Sequence, residues 1–168
     1  MRLNEGLEKL GEKEVIGRSG YERGVFSESA IENVTLPSTL KRIEKETFYK
    51  CKNLRSVEIQ NGVEYIGEEC FKSSTIKSIT LPSTLKRIED ETFSGCKNLE
   101  NVEIPNGVEY IGWWCFQNSG IEEIAIPGSV TVIGQGAFSK CEVLKKVSFQ
   151  SGNRLEKIEA HCFSESGV

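Results

Sequence analysis

Leu-Arg-Ser-Val-Glu-Ile-Gln-Asn-Gly-Val-Glu-Tyr-Ile-Gly-Glu-Glu-Cys-Phe, residues 54–71, is the stretch that decides the fold. Its apolar positions are Leu54, Val57 and Ile59, then Val63 and Ile66, then Cys70 and Phe71. The first set closes on an alternation of apolar and polar residues, the pattern of a strand with one buried face. The stretch then turns at Asn61-Gly62, makes a second short extended piece and ends at a phenylalanine corner. It is too short to bury a core by itself, so it needs copies of itself to stack on.

Those copies fill the chain. Phenylalanine recurs at Phe26, Phe48, Phe71, Phe93, Phe116, Phe138 and Phe163, at separations of 22, 23, 22, 23, 22 and 25 residues. A fixed period of this size predicts a solenoid in which each turn contacts only its neighbours. The register is tighter at double the period: residues 31–75 laid on 76–120 match at 31 of 45 positions, including the string Thr-Leu-Pro-Ser-Thr-Leu-Lys-Arg-Ile-Glu. The sequence thus divides into a weak first segment, 1–30, and one continuous domain, 31–168, of three two-turn units (31–75, 76–120 and 121–168). The third unit keeps the apolar frame, changes its surface and lengthens the loop between Phe149 and Leu155 by two residues.

The remaining frame residues read as punctuation. Pro37, Pro82, Pro105 and Pro127 directly follow the last apolar residue of their strands, where a missing N–H removes nothing essential from a ladder. Gly62, Gly67, Gly107, Gly112, Gly128 and Gly134 fall where positive φ or close backbone approach is expected. The six cysteines occupy two columns: Cys51, Cys96 and Cys141 lie three residues after an anchor Phe, and Cys70, Cys115 and Cys162 immediately before one. Cysteines of one column stand two rungs apart, about 10 Å, beyond the reach of a disulfide, so they are expected as buried thiols.

The pattern Leu-x-x-Ile-x-Leu-Pro-x-x-Leu-x-x-Ile-x-x-x-x-Phe-x-x-Cys-x-x-Leu resembles the BspA-like, or treponemal-type, leucine-rich repeat. The likeness is strong over 31–168 and weak over 4–30. The asparagine ladder of more familiar leucine-rich repeats is replaced here by proline and Asn-Gly turns. The resemblance implies a right-handed coil with a parallel sheet on its concave face and short irregular, β or 3-10 segments on its convex face. It also implies adhesion or host binding by a microbial surface protein, an extracellular or cell-surface location, and no enzyme activity. At the ends, Gly6 to Gly11 aligns with Gly62 to Gly67, which puts Glu14 and Val15 in the cysteine and phenylalanine columns of a degenerate first repeat or cap. The abrupt stop after Ser164-Glu165-Ser166-Gly167-Val168, with no polar cap, reads as a segment of a longer array whose open ends invite self-association.

Composition removes several classes of function. A formal charge of -4, from mixed acids and bases, leaves no basic surface for nucleic acid. No apolar run is long enough to insert in a membrane, and Met1 to Gly11 has no stretch of signal-peptide length. His161 is the single histidine; it falls in a solvent column while its neighbour Cys162 falls in an interior one, so no nucleophile–base pair is expected. There is no Cys-x-x-Cys, no convergent carboxylate pair and no nucleotide-binding string, so neither metal nor cofactor is called for.

What is left is the surface. Equivalent residues stack in columns, and two of them run Lys41, Glu64, Lys86, Glu109 and Arg42, Tyr65, Arg87, Tyr110, a ladder that fixes the register of the two-turn unit. The outward positions of the concave sheet are short and polar, and the candidates for contact with a protein partner are Ser56, Glu58, Thr80, Asn101, Glu103 and Glu123. Trp113 and Trp114 are the other candidates. They share columns with solvent-tolerant residues, so they either anchor a partner or cover the next rung, with Trp114 over the space left by Gly136. The leading expectation is a noncatalytic protein-binding or adhesion module. The alternatives are a structural spacer or self-associating array without a soluble ligand and, third, metal storage through the thiols.

Overall fold

The computed structural model describes residues 15–16 and 24–168. Among them there are thirteen short strands and no helix, so none is long and apolar enough to cross a membrane. Each full turn contributes a three- or four-residue strand and a two-residue strand. The longer ones are β2 (Asn33–Thr35), β4 (Ser56–Glu58), β6 (Ser78–Thr80), β8 (Asn101–Glu103), β10 (Glu123–Ile126) and β12 (Lys146–Phe149). The shorter ones are β1 (Val15–Ile16), β3 (Arg42–Ile43), β5 (Tyr65–Ile66), β7 (Arg87–Ile88), β9 (Tyr110–Ile111), β11 (Val132–Ile133) and β13 (Lys157–Ile158).

All pairing is parallel and in register with the repeat. The longer strands pair in the order β2-β4-β6-β8 and then β10-β12; the shorter ones pair as β1-β3-β5 and β7-β9-β11-β13. In the first set Val34, Val57, Ile79 and Val102 face one another across successive rungs. The alternation of the sequence appears directly, since β2, β4 and β6 bury only their middle residue.

A third ladder runs through the phenylalanine corners. Phe48, Phe71, Phe93, Phe116 and Phe138 each donate their backbone N–H to a carbonyl of the following turn, at 2.8–2.9 Å. The residues two before and two after the Phe donate in the same way, as Glu46 does to Glu68 and Lys50 to Lys72. This aim requires left-handed backbone on both sides of the ring. Among the described residues all eleven non-glycine residues with positive φ lie at these two positions, from Glu28 (φ 58°) to Glu165 (φ 57°). Each costs about 1–2 kcal/mol for an L-residue, offset here by the inter-turn hydrogen bonds that the conformation permits.

The core is one continuous strip. The Phe rings of consecutive turns stack nearly parallel, with centroids 5.2–5.5 Å apart from Phe26 to Phe163. Phe48, Phe71, Phe93, Phe116 and Phe138 are fully buried among the Leu, Ile and Val of the frame. All six cysteines are free thiols and buried, as the column spacing requires. Cys51, Cys96 and Cys141 donate their S–H to the carbonyls of Phe26, Phe71 and Phe116 one turn back, at 2.9–3.0 Å. Their column alternates with serine, and Ser29, Ser74 and Ser119 sit 3.5–3.6 Å from the same three sulfurs. In the other column Thr47 and Thr92 alternate with Cys70 and Cys115, and their hydroxyls donate to the carbonyls of Glu44 and Glu89. Thiol and hydroxyl thus take turns, which is one source of the two-turn period.

Two expectations change. Val15 and Ile16 pair with Arg42 and Ile43, so Val15 occupies a strand column and not the phenylalanine column. The string Val15-Ile16-Gly17 repeats Val132-Ile133-Gly134, and isoleucine is the second residue of every shorter strand. The proposed turn over Gly6 to Gly11, with Glu14 in the cysteine column, lies outside the described residues. At the other end Phe149, placed in the apolar frame, is 42% exposed, and Ile158 is 45% exposed.

Candidate functional site

The outward face of the longer strands is hollow. A trough of about 630 Å3 runs over β4, β6 and β8, and its floor includes Ser56, Glu58, Ser78, Thr80, Asn101 and Glu103. Five of the six sheet residues expected to meet a partner are therefore brought together. Glu123 is not among them: it lies on β10, in the next sheet segment, with its carboxylate 3.7 Å from Lys146. Cross-rung hydrogen bonds set the floor. Ser56 donates to Asn33 Oδ1 at 2.8 Å and Thr35 to Glu58 Oε2 at 3.2 Å across rungs, while Gln60 Nε2 donates to Glu58 Oε1 at 2.9 Å within one rung. The resulting floor is polar, and acidic at Glu58 and Glu103. It offers hydrogen bonds along an extended partner and no apolar anchor.

The tryptophans stand on another edge, at the corner that follows β9 (Tyr110–Ile111). Trp114 has φ 50°, and its indole lies over Gly136: a Cβ there would meet Trp114 Cδ1 at 2.6 Å and Nε1 at 2.7 Å. Trp113 lies over Gly134 in the same manner, with Cδ1 2.7 Å from a Cβ built on that glycine. The two rings meet edge to face, 6.2 Å between centroids. Trp114 covers the glycine rung and is half-buried, whereas Trp113 remains 44% exposed. Its backbone N–H is fixed on Asp90 Oδ1 at 2.8 Å, and its indole N–H reaches the carboxylate of Glu159, two turns on. Glu159 also pairs with Lys157 at 2.7 Å, which with these hydrogen bonds draws its carboxyl below the usual range.

The register ladder is present between these sites. Arg42 lies 4.0 Å over the Tyr65 ring and Arg87 4.0 Å over Tyr110, while Lys41 and Glu64 are 3.9 Å apart. Arg42 and Arg87 each also reach the glutamate two residues on, Glu44 and Glu89.

Nothing in this arrangement prepares a nucleophile. His161 is exposed, Cys162 is buried, and burial pushes the Cys162 thiol up to about 11. Burial likewise pushes the Cys96 thiol up to about 12 and raises Cys70 and Cys115 strongly. These groups are neutral hydrophobes near pH 7, not thiolates. Among the described residues no three His, Cys, Asp or Glu side chains gather as a metal site.

A feature that column-by-column reading missed is the charge of this edge. In the three positions preceding each anchor Phe by four, three and two residues, from Glu44 to His161, eight residues are acidic and Lys45 alone is basic. The signal was in the sequence, in three adjacent columns taken together.

Stacked parallel turns, a phenylalanine corner and buried cysteine columns define a leucine-rich-repeat solenoid. The chain belongs to the BspA-type leucine-rich-repeat family: the family model matches residues 20–142 and 64–168, in six copies. Three similar solved structures are bacterial. A leucine rich cell surface protein from Faecalibacterium prausnitzii A2-165 is 30% identical over 73% of this chain and 33% of its own, with a TM-score of 0.70. A leucine-rich repeat protein from Bacteroides ovatus is 27% identical over 91% of this chain and 47% of its own, at a TM-score of 0.71. The leucine-rich repeat protein of T. pallidum is 29% identical over 74% of this chain and 60% of its own, at 0.69. The chain therefore spans between a third and three fifths of the length of these relatives. No curated protein matches it.

Proposed function

We propose that this solenoid is a noncatalytic protein-binding module of a surface or secreted protein, taking its partner along the hollow face, with the Trp113 edge as a second contact. The observation that carries the reading is the trough over β4, β6 and β8, where Ser56, Glu58, Thr80, Asn101 and Glu103 present unobstructed short side chains on a rigid ladder. The family relationship and the F. prausnitzii cell surface protein support it. A photoreactive residue at Thr80, another at Trp113 and a third at exposed Lys97 as control would be exposed in parallel to host and microbial surface proteins. A partner trapped from Thr80 or Trp113 but not from Lys97 is expected. Trapping only from Lys97, or equally from all three, would refute the assignment.

One observation favours a second reading, an end-to-end array. On β12 and β13 the apolar side chains Phe149 and Ile158 are exposed, a surface that a stacked neighbour would cover. Sedimentation velocity over a wide concentration range distinguishes the two: growth with concentration supports stacking, and a strict monomer excludes it.

A further inference from the structure

We propose that the acidic corner edge ending at Trp113 binds a cationic polypeptide segment, with one Lys or Arg side chain on the exposed indole and its neighbours on the carboxylates of the adjoining rungs. This deepens the protein-binding reading given above and rests on it.

Charge segregation is the first argument. The whole chain has 25 acidic and 21 basic side chains, yet the corner columns hold eight acids against Lys45. The acids are Glu44, Glu46, Glu68, Glu69, Glu89, Asp90, Glu91 and Glu159. Arg42 serves Glu44, Lys72 serves both Glu69 and Glu91, Arg87 serves Glu89, and Lys157 serves Glu159, so five of the eight are paired. Among the described residues no lysine or arginine pairs with Glu46, Glu68 or Asp90. Burial raises the Glu89 carboxyl above its ordinary value, Arg87 opposes the rise, and the charges of Asp90 and Glu68 add to it.

The aromatic is the second argument. An exposed indole beside carboxylates is the surface that attracts an ammonium or guanidinium group, because ring quadrupole and charge act in the same sense. Trp113 is held in advance by Asp90 at its backbone and Glu159 at its ring, so little side-chain freedom is lost on binding. Among the described residues the chain makes this contact three times within itself, Lys50 on Tyr49 and, in one column, Arg42 on Tyr65 and Arg87 on Tyr110. The column stops there: Val132 follows Tyr110, and Trp113 receives no cation from the next turn.

The spread of the acids selects the occupant. They recur on consecutive rungs about 4.8 Å apart, so a single small cation would meet one or two of them. A metal ion fits poorly, since no three donors converge. An extended chain with several basic residues meets the whole edge.

The test uses fluorescein-labelled deca-lysine, deca-glutamate as control, and anisotropy at low and high salt. The wild type is expected to bind deca-lysine and not deca-glutamate, with affinity falling steeply as salt rises. Trp113→Ala should weaken binding at least about fivefold. So should Glu68→Gln with Asp90→Asn, which removes charge while leaving an acceptor for the Trp113 N–H. The wild type's emission should also shift on binding, because Trp113 and Trp114 are its only tryptophans. Neutralising Glu122 and Glu123 instead should leave binding within about twofold. Equal losses from that control pair would make the attraction general rather than local and overturn the proposal. Absence of deca-lysine binding by the folded wild type would overturn it as well. Loss of binding in Thr80→Trp, with Trp113→Ala unaffected, would move the cation to the hollow face, sinking this inference while leaving the binding-module reading intact.

Discussion

Alkaline pH should unfold this protein through its buried thiols. Cys70, Cys96 and Cys115 are fully buried, and burial raises the pKa of each above the ordinary 9.0, to about 12 for Cys96. A thiol whose folded pKa is raised contributes stability that is present below its unfolded pKa and is lost as pH rises through the window up to the folded value. At pH 10 the unfolded chain ionises these groups and the folded chain does not, which favours unfolding by about 1.4 kcal/mol per thiol. The three together give about 4 kcal/mol, a large part of the 5–15 kcal/mol that holds a typical domain. Urea denaturation under reducing conditions at about pH 8 and about pH 10 measures the difference directly. The control comes from the chain itself: Cys70→Thr, Cys96→Ser and Cys115→Thr copy the residues that occupy the same columns at Thr47, Ser74 and Thr92. That variant should lose most of the pH-dependent drop. Tyr65 and Tyr110, whose hydroxyls are also raised by burial, leave a residual slope near pH 10. If the triple variant loses stability with pH as steeply as the wild type, the thiols are not what alkali titrates, and the burial argument fails. The same burial predicts no reaction with Ellman's reagent in the native state and six reactive thiols in guanidinium.

The phenylalanine ladder should be costly to interrupt. Phe93 stacks on Phe71 at 5.4 Å and on Phe116 at 5.3 Å with no exposure, so Phe93→Ala should cost about 3–5 kcal/mol by urea titration. A loss under about 1 kcal/mol would mean that the turns close over the gap. Two glycines separate backbone strain from crowding: Gly136 (φ +62°) lies under Trp114, while Gly152 (φ +74°) has nothing within 4 Å of a built Cβ. Gly152→Ala should cost about 1 kcal/mol, from backbone alone. Gly136→Ala should cost clearly more and shift the tryptophan emission; equal costs would show that the indole does not rest on Gly136.

The spacing of the anchor residues made the turn, the parallel register and the corner legible in advance, because a repeat that must bury one strip leaves few ways to stack. The cysteine columns were legible for the same reason: rung separation forbids a disulfide. Trp114 over Gly136 also followed from column position, since a missing side chain on one rung leaves room for a large one on the rung before. The left-handed corners did not follow. Glu46, Lys50, Glu69 and Glu91 carry no sequence mark of positive φ, and only the inter-turn hydrogen bonds that demand it reveal it. Nor did the register of Val15 and Ile16, where spacing from Phe26 departs from that of the later turns and the apolar pair alone sets the strand. The candidate site was half legible: the short polar residues could be placed on one face, but their gathering into a trough, and the exclusion of Glu123 from it, depend on where the sheet is interrupted between β8 and β10.

That interruption coincides with the departure of the third unit from the other two. The turns ending at Phe48 and Phe93 read Glu44-Lys45-Glu46-Thr47 and Glu89-Asp90-Glu91-Thr92, whereas the corresponding turn before Phe138 reads Gly134-Gln135-Gly136-Ala137. Both glutamates have become glycine on the rung that follows Trp113 and Trp114. The geometry makes these one change: the indoles occupy the space that Cβ atoms at 134 and 136 would need. Trp114 keeps the left-handed φ (50°) that its column adopts from Glu46 to His161, a conformation bulky residues avoid, and the buried Ser139 hydroxyl beside Gly136 has no hydrogen-bond partner. A solenoid that needed only to continue its ladder had the glutamate pattern of two earlier units at hand. Replacing it with two indoles on two glycines, and leaving one indole 44% exposed at the end of an acidic edge, adds apolar surface that the frame does not require. The contact proposed above, made outside the chain, would account for that surface.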